Sequence, residues 1–410
     1  MVDAGEKLFA AQGYEATTQR QIAAAAGVST SVLFRHFNSK AQLLAEAVIE
    51  PFGEFAAVLA EDFQAAVAAG RQPAPWFAAA LVVRLRVHRA SLRALLSTLQ
   101  SADGDALMAA LGGRLDVRFD EIRRYAERAP AAENGDLVLR LLVATTTTMV
   151  ALEDWFLPPG HDPARLAEVL GNMASRGETG SSARATRHAR RPTEPVPMGE
   201  PTKPSGRRRN PDEVREALLL GAAQSFAQRG FAATTYLDIA GAAHTSESAL
   251  FRHFGSKSNL LIEAVLEPFA DAFRSVSRRW AAVAPEHRRA RQMEFVADLY
   301  STLVANRQLL RILMGVANDP AHEDVNAAVA AWFSSTFAEL VSQQETLDGV
   351  DPGDEPELRI RAALAMLMAA AVLDDWFLPR EDVAEPSRTI ATMSDLITRS
   401  RRAASHAEES

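Results

Sequence analysis

The stretch that decides the fold runs from Phe34 to Phe52 and has the sequence FRHFNSKAQLLAEAVIEPF. It recurs 217 residues later, from Phe251 to Phe269, as FRHFGSKSNLLIEAVLEPF, and 14 of the 19 positions are identical. The same offset holds upstream, where Gly13 corresponds to Gly230. A repeat this long and this close indicates one structural unit that is present twice. The sequence therefore predicts two copies of one fold, joined head to tail.

The second half of each copy is also repeated, and its pattern is helical throughout. Residues Leu152 to Pro158 (LEDWFLP) correspond to Leu373 to Pro379 (LDDWFLP), with a four-residue slip in the offset. Long apolar runs, Leu137 to Leu157 and Leu358 to Leu378, precede a last amphipathic segment in each copy. Apolar residues at helical spacing predict helices, and we find no alternating pattern of the kind that strands have. We therefore predict that both copies are all-α.

Length and composition set the class of protein. The 410 residues are enough for two domains with ordinary cores. The absence of cysteine excludes disulfides and cysteine metal sites, and it favours a reducing compartment. No apolar run approaches the ~20 residues that span a bilayer, and the N-terminus lacks a signal pattern. We expect a cytoplasmic protein without a membrane partner, a cofactor or a metal.

The N-terminal part of each copy carries strong helix-boundary signals. Thr18 to Gln21 fits a capping box, and Ser39 to Gln42 fits another. Between them, Gly27 provides a turn and Ser29 can cap the helix from Thr30 to Phe37. A helix, a short turn and a second capped helix make a helix-turn-helix. The DNA-binding form of this motif lays its second helix in the major groove.

Taken together, these residues resemble the N-terminal domain of the TetR family of transcriptional regulators. The resemblance covers residues 1 to about 50 and again about 212 to 267, and it is carried in the first copy by Thr17-Thr18, Ile22-Ala23, Ala26-Gly27-Val28-Ser29, Leu33-Phe34-Arg35-His36-Phe37, Ser39-Lys40 and Leu43-Leu44. It implies three DNA-binding helices, then a bundle for ligand binding and dimerisation. It also implies a homodimer on a palindromic operator that a small molecule releases.

The resemblance also implies which side chains meet DNA. Those in the first copy are Thr18, Arg20, Ser29, Thr30, Ser31, Phe34, Arg35, His36 and Lys40. Those in the second copy are Thr235, Tyr236, Ser246, Glu247, Ser248, Phe251, Arg252, His253 and Lys257. Among them, Thr18, Lys40, Thr235 and Lys257 are expected at phosphates. Both copies have phenylalanine, at Phe34 and Phe251, where the family usually has a tyrosine hydroxyl for a phosphate.

The second helix-turn-helix departs from the first. Gly27-Val28 becomes His244-Thr245, which places a side chain where the turn favours glycine. From Thr17 to Lys40 there are three cations and no acids, whereas Thr234 to Lys257 has two cations and two acids. We therefore expect the two motifs to differ in affinity for DNA.

The bundles offer two further sets of candidates. The resemblance implies that the final two helices of each copy pair in a four-helix interface, with Trp155, Phe156, Trp376 and Phe377 as its anchors; the alternative is that they close the end of their own bundle. Effector-site candidates are Phe77, Met108, Phe119, Tyr125, Met293, Phe295, Tyr300 and Trp332. Pockets in bundles are mostly apolar, but residues of this kind are more often plain core.

Domain boundaries follow from these patterns. We predict helix-turn-helix domains at 1–46 and 211–263, regulatory bundles at 47–176 and 264–402, a disordered basic linker at 177–210 and a disordered tail at 403–410. The linker has eight cations against three acids, and it ends in Arg207, Arg208 and Arg209. These arginines either touch phosphates or belong to a solvated tether.

Catalysis is not expected. The paired carboxylates Glu153-Asp154 and Asp374-Asp375 stand beside tryptophan, without a neighbouring histidine or glycine-rich loop. The hypothesis is a DNA-binding repressor that a small-molecule effector releases, in which the two copies pair within one monomeric chain. The alternative is a cytosolic binding or scaffold protein that keeps the fold and has lost DNA binding.

Overall fold

The computed structural model describes residues 1–47, 73–100, 135–177, 210–345 and 355–399, with isolated residues between 58 and 69 and between 104 and 120. Within these ranges all regular structure is helical, as predicted. None of the described helices is both long and apolar enough to cross a membrane. We call residues 1–177 the first copy and residues 210–399 the second copy.

The first copy has nine described helices. In chain order they are α1 (Val2–Gln12), α2 (Gln19–Ala25), α3 (Thr30–His36), α4 at 40–47, α5 (Pro73–Val87), α6 (Arg89–Ser97) with a 3-10 turn (Thr98–Gln100), α7 (Gly135–Ala151), α8 (Glu153–Phe156) and α9 (Pro163–Gly177).

The second copy has a similar order of helices, with an additional short helix, α20, where the first copy has a turn. Its described helices are α10 (Pro211–Ala233), α11 (Tyr236–Ala242), α12 (Glu247–Phe254), α13 (Lys257–Leu261) with a π-helical turn (Ile262–Leu266), α14 (Glu267–Ala281), α15 (Pro285–Ala305), α16 (Arg307–Ala317) with a 3-10 turn (Pro320–His322), α17 (Glu323–Glu345), α18 (Pro356–Val372), α19 (Asp374–Phe377), α20 (Arg380–Ala384) and α21 (Ser387–Arg399).

Side-chain caps start the short helices. The predicted capping box at α2 is present, because the Thr18 hydroxyl accepts from the backbone of Gln21 at 3.2 Å and the Gln21 side chain accepts from the Thr18 backbone at 2.8 Å. At α4 the prediction is one residue off. Ser39 caps the Gln42 nitrogen at 3.0 Å, but the Gln42 side chain accepts from the backbone of Asn38. Both caps provide hydrogen-bond acceptors for backbone N–H groups that have no partner within the helix.

The turn between α2 and α3 has the same backbone in both copies. Gly27 has φ 67° and His244 has φ 50°, so the histidine adopts the left-handed conformation that the glycine position requires. The residue after each makes the same hydrogen bond, Val28 to Ala23 and Thr245 to Ala240, both at 2.9 Å. A side chain in this conformation is strained. The fold is retained here at a local cost.

The centre of the molecule is a packing of the two copies' apolar helices. Helix α7 is buried over most of its length, and so is α18. A helix that is apolar all round is stable only when other helices surround it. Here α7 packs on α18, and α9 packs on α21, so that four helices from the two copies meet. The long apolar runs of the sequence are explained by this position.

A second contact between the copies lies where α6 and α16 end. The Gln100 side chain donates to a carboxylate oxygen of Asp319 at 2.8 Å, and both residues are buried. Gly315 in α16 faces the backbone of Gln100 so closely that an ideal Cβ would lie 2.6 Å from its nitrogen. Helix–backbone contacts this close require glycine. The same junction touches Gly13 and Gly230, the residues where the first helix of each copy breaks.

An ion cluster is buried in the second copy around Arg311 and Asp374. Arg311 donates to Asp374 at 3.0 Å, to Asp375 at 2.7 Å and to the Val372 carbonyl. Arg311 and Asp374 are 6% and 2% exposed, and burial raises the pKa of Asp374. In the first copy, the corresponding Arg93 lies 3.4 Å from Asp154, the counterpart of Asp375, and the counterpart of Asp374 is Glu153, whose side chain is 26% exposed.

The ends of the predicted linker belong to helices. Gly177 is the last residue of α9, and Asn210 caps α10 by accepting from the Glu213 nitrogen at 2.7 Å. Residues 178–209 and 400–410 lie outside the described residues, and so does the predicted disorder there. The domain boundaries as a whole remain predictions.

Replacing His244 by glycine is expected to raise the free energy of unfolding by about 1 kcal/mol, because the left-handed strain is relieved. The reverse change, Gly27→His, is expected to lower it by a similar amount. An ideal Cβ on Gly27 meets nothing within 4 Å, so the cost there is confined to the backbone. Urea unfolding followed by circular dichroism measures both. Equal stability of all three proteins would contradict the expectation.

Replacing Arg311 by methionine is expected to destabilise the protein by about 3 kcal/mol, since Asp374 stays buried with less counter-charge. Arg93→Met is the matched control, and at its more exposed pair the loss is about 1 kcal/mol or less. The pKa of Asp374 in the folded variant lies above its unfolded value. The variant's stability should therefore fall as pH rises through that folded pKa. Unfolding curves across pH test this; equal losses in the two variants would contradict it.

Candidate DNA-binding interface

The recognition helix of the first copy, α3, presents a polar, partly basic face. Ser31, Arg35 and His36 are exposed, and Thr30 is half-buried. Ser29 is also exposed, but its hydroxyl accepts from the Val32 nitrogen at 3.3 Å and so caps the helix. Leu33 on the opposite face is buried in the core. The helix is thus held from one side and leaves three or four side chains available to a groove.

The corresponding helix of the second copy, α12, has the same orientation and a different charge. Glu247, Ser248 and Arg252 are exposed, while Leu250 is fully buried. Ser246 caps the helix by accepting from the Ala249 nitrogen, and its hydroxyl lies 2.9 Å from that of Ser248. An acidic side chain therefore stands at the start of α12, where the first copy has Thr30.

Lys40 and Lys257 have a structural role that the sequence did not reveal. The Lys40 ammonium donates to the Tyr14 carbonyl at 2.7 Å and lies 4.0 Å from the centre of that ring. Lys257 donates to the carbonyls of Phe231 and Thr234, at 2.7 and 2.9 Å, and burial lowers its pKa. Both ammonium groups are thus turned toward carbonyls near the end of the first helix. Their contacts with phosphates remain predictions.

The start of the preceding helix differs more than expected. In the first copy, Thr18 caps α2 and Arg20 is exposed beside it. In the second copy, Thr235 caps α11, but the place of Arg20 is taken by Leu237, which is 69% exposed. Sequence reasoning missed this exposed leucine, although the 217-residue offset places it there.

The negative charge of Asp238, the acid next to this leucine, is compensated by local hydrogen bonds and an ion pair. Asp238 accepts from the Thr235 hydroxyl at 2.6 Å and from its backbone nitrogen at 2.9 Å. These hydrogen bonds lower the pKa of Asp238, and Arg229 forms an ion pair with it. The exposed basic side chain at this helix start in the second motif, Arg229, is therefore paired with an acid, whereas the first motif has Arg20.

Each recognition helix has an exposed phenylalanine on its outer face. Phe34 and Phe251 are 48% and 47% exposed. The Tyr236 ring lies 4.5 Å from that of Phe251, and the Tyr236 hydroxyl accepts from the backbone nitrogen of Lys257 at 3.1 Å. Tyr236, predicted at DNA, thus already has a partner within the protein.

The remaining predicted contacts fall into two groups. His36 is exposed, but His253 is half-buried, and its Nε2 has no hydrogen-bond partner among the described residues. Arg207, Arg208 and Arg209 lie outside the described residues.

The predicted interface anchors lie between or near the copies. The Trp155 indole donates to the Asn326 side chain at 2.8 Å, and its ring stacks on Phe333 at 5.5 Å. Phe156 contacts the same phenylalanine at 4.8 Å. In the second copy, Trp376 and Phe377 are buried, and the Phe377 carbonyl accepts from Arg140 of the first copy.

The effector-site candidates are mostly packed against other side chains. Phe77 is buried, and Phe119 lies beneath the Arg140 guanidinium at 4.4 Å. Phe295 stacks on Trp280, and Trp332 contacts Phe269, Phe273 and Phe333. Met293 is half-buried, while Met108 and Tyr125 lie outside the described residues.

Tyr300 differs from the phenylalanine candidates because it carries a buried hydroxyl group near a carboxylate. It is 4% exposed, and burial together with the carboxylate of Asp374 raises its pKa to about 12. The corresponding residue of the first copy is Val82, which is also buried. The two bundles therefore have different interiors at this position.

The paired carboxylates are held by arginines. Asp154 lies 3.0 Å from Arg89, and Glu153 lies 3.6 Å from the same side chain. Asp374 is paired with Arg307 as well as Arg311. Across the described ranges, no three histidine, aspartate or glutamate side chains are grouped as metal ligands would be.

Comparison with known proteins identifies the helix-turn-helix regions. The family of bacterial regulatory proteins called the tetR family matches residues 1–47 and residues 218–264. An HTH-type transcriptional repressor of Mycobacterium tuberculosis is 44% identical over 64 residues, which is 16% of this chain and 31% of that protein. An HTH-type transcriptional regulator of Mycobacterium bovis matches to the same extent. The chain thus covers about a third of the length of these relatives.

A solved structure is similar at lower identity. The crystal structure of a candidate TetR-family transcriptional regulator from Mesorhizobium loti is 18% identical, with a TM-score of 0.39, and it covers 46% of this chain and 97% of that one. A similarity this low adds nothing to what the two matched regions show. The two matched regions coincide with the two helix-turn-helix motifs described above, so each motif is similar to the N-terminal region of the tetR family.

Proposed function

We propose that the chain is a sequence-specific DNA-binding transcriptional regulator. The observation that carries this is the pair of capped recognition helices, α3 and α12, each fixed to its core by a buried leucine and exposed on the other side. A helix held in this way has the geometry that enters a major groove. The helix-turn-helix relatives support the same reading, although the match covers a third of their length.

Repression is the direction we propose, because one matched relative is named a transcriptional repressor. A small-molecule effector that releases the DNA completes the proposal. Apolar residues with one polar group are typical of effector pockets in bundles. Tyr300 gives the second copy such a group where the first has Val82, so we place the tighter site in the second bundle. The protein would act in the cytoplasm and on the nucleoid when bound to DNA.

The two copies are proposed to act together as a pseudodimer within one chain. The contacts of α7 with α18, and of Trp155 with Asn326 and Phe333, support this pairing. A tether raises the effective concentration of one partner near the other to the millimolar range. The two different recognition helices then face one operator together, and a palindrome is no longer required.

The competing function is a binding or scaffold protein that has lost DNA binding. Leu237 in the place of Arg20 and the acid at Glu247 favour it, since both weaken attraction to phosphates. A gel shift on the gene's own upstream DNA over a series of salt concentrations separates the two functions. Binding that weakens with salt supports the regulator, and absence of specific binding supports the scaffold.

The same gel shift measures how much each motif contributes to the affinity for DNA. Arg35→Ala is expected to weaken binding by about 1 kcal/mol more than Arg252→Ala, because Arg35 belongs to the motif without acids. Selection from a random DNA pool is expected to return an asymmetric site. Equal effects of the two substitutions, together with a perfect palindrome, would mean that the motifs are equivalent.

Sedimentation tests the assembly. With its two copies paired internally, the chain is expected to sediment as a monomer of 44.4 kDa. Sedimentation at a series of protein concentrations should show no change in mass. The tethered copy outcompetes a second chain that is present at micromolar concentration. An obligate dimer of two chains would contradict the internal pairing and leave DNA binding untouched.

A further inference from the structure

Contacts between the copies can be compared in equivalent pairs. Residues 104–120 correspond to 322–338 at an offset of 218, and residues 135–177 correspond to 356–398 at an offset of 221. In a dimer of identical subunits, every interface contact occurs twice. In this chain each contact has a counterpart made by different residues, and several counterparts are not equivalent.

The tryptophan contacts are unequal. The Trp155 indole N–H has the Asn326 amide oxygen as acceptor at 2.8 Å, and the ring stacks on Phe333. The equivalent indole, Trp376, is 3% exposed, and its N–H has no partner among the described residues. By sequence, the counterpart of Asn326 is Met108, whose thioether is a weak acceptor. At this pair of positions the second copy has an amide oxygen and the first copy has a thioether.

A close backbone approach is also present on one side. An ideal Cβ on Gly112 would lie 2.0 Å from the carbonyl oxygen of Asp375 and 3.2 Å from its carbon. Such distances do not occur for real Cβ atoms, so only glycine fits. The counterpart of Gly112 is Ala330, which has a Cβ. Two second copies placed in the observed arrangement would therefore bring Ala330 into the carbonyl of Asp375.

The central helices differ in polarity at the same place. Helix α7 carries Thr145 to Thr148, all buried, and the hydroxyls of Thr147 and Thr148 have no partner among the described residues. The counterparts in α18, Met366 to Ala369, are apolar. Two first copies would bury these unpaired hydroxyls on both central helices, and Trp155 would face the counterpart methionine in place of Asn326. Buried polar groups without partners disfavour that pairing.

From these differences we infer that the interface is built to join a first copy to a second copy and to exclude pairs of identical copies. The partner that each surface fits is the other copy of this chain. Ala330 against the Asp375 carbonyl blocks second-copy pairs, and unpaired polar groups disfavour first-copy pairs. The inference rests on the proposed pairing within the chain and adds a selectivity to it.

The test starts from the full-length protein with a protease site inserted within residues 178–209. After folding, the linker is cut and the products are weighed by native mass spectrometry. Only the one-to-one complex of the two different pieces is expected. Pairs of identical pieces, formed in similar amount, would overturn the inference. Pieces that separate entirely would overturn both it and the proposed pairing.

Two substitutions make the test specific. Gly112→Ala is expected to increase dissociation of the cut complex at least tenfold, because the new Cβ meets the Asp375 carbonyl. Gly113→Ala is the matched control, since an ideal Cβ there meets nothing within 4 Å. Equal behaviour of the two variants would argue against the close approach.

The second variant, Ala330→Gly, is expected to produce a new species. It removes the Cβ that blocks second-copy pairs, and such a pair keeps Asn326 as an acceptor for Trp376. Pairs of the second piece should then rise at least tenfold over the unsubstituted protein, a gain that misfolding does not imitate. Their absence would overturn the assigned role of Ala330. Gel shifts of the uncut variants report DNA binding separately, so failure of the proposed function is distinguishable.

Discussion

A backbone contact between the copies fixes the position of both helix-turn-helix motifs. Gly315 lies against the backbone of Gln100, with room for no side chain between them. The Gln100 carbonyl in turn lies against Gly230, and Asp319 lies against Gly13. Each motif therefore rests on the bundle of the other copy at the residue where its first helix ends. Because main-chain atoms form most of these contacts, the relative placement of the motifs is set by rigid groups.

The contact of Gln100 with Gly315 and Asp319 cannot be predicted from the sequence, although much of the structure around it can. Capping residues such as Thr18, and the glycine-type turn that His244 adopts, depend on neighbours a few residues away. The bond from Gln100 to Asp319 joins residues 219 apart, and no local pattern marks either as an interface residue. The same holds for the hydrogen bond of Lys40, whose carbonyl partner at Tyr14 lies 26 residues away.

Similar arginine and carboxylate patterns have different consequences in the two copies. Arg311 and Asp374 are enclosed, and burial raises the pKa of the carboxyl group. Tyr300 lies near the same carboxylate, and its pKa rises to about 12. In the first copy the equivalent acid Glu153 is partly exposed, and the position of Tyr300 is an apolar valine, Val82. The repeat in the sequence predicted the charges, but only the packing shows where they are taken out of water.

Fusion of two copies changes what an interface has to satisfy. In a dimer of identical subunits each surface must fit itself, so a substitution acts on both sides at once. Here Gly112 is needed only where it meets Asp375, and Asn326 only where it meets Trp155. Because the two copies of a fused chain have separate sequences, each is free to diverge at the surface where it contacts another molecule. The outer faces follow the same rule, since Leu237 stands where the first copy has Arg20. A self-paired dimer places the same side chain at both positions, and a fused chain does not.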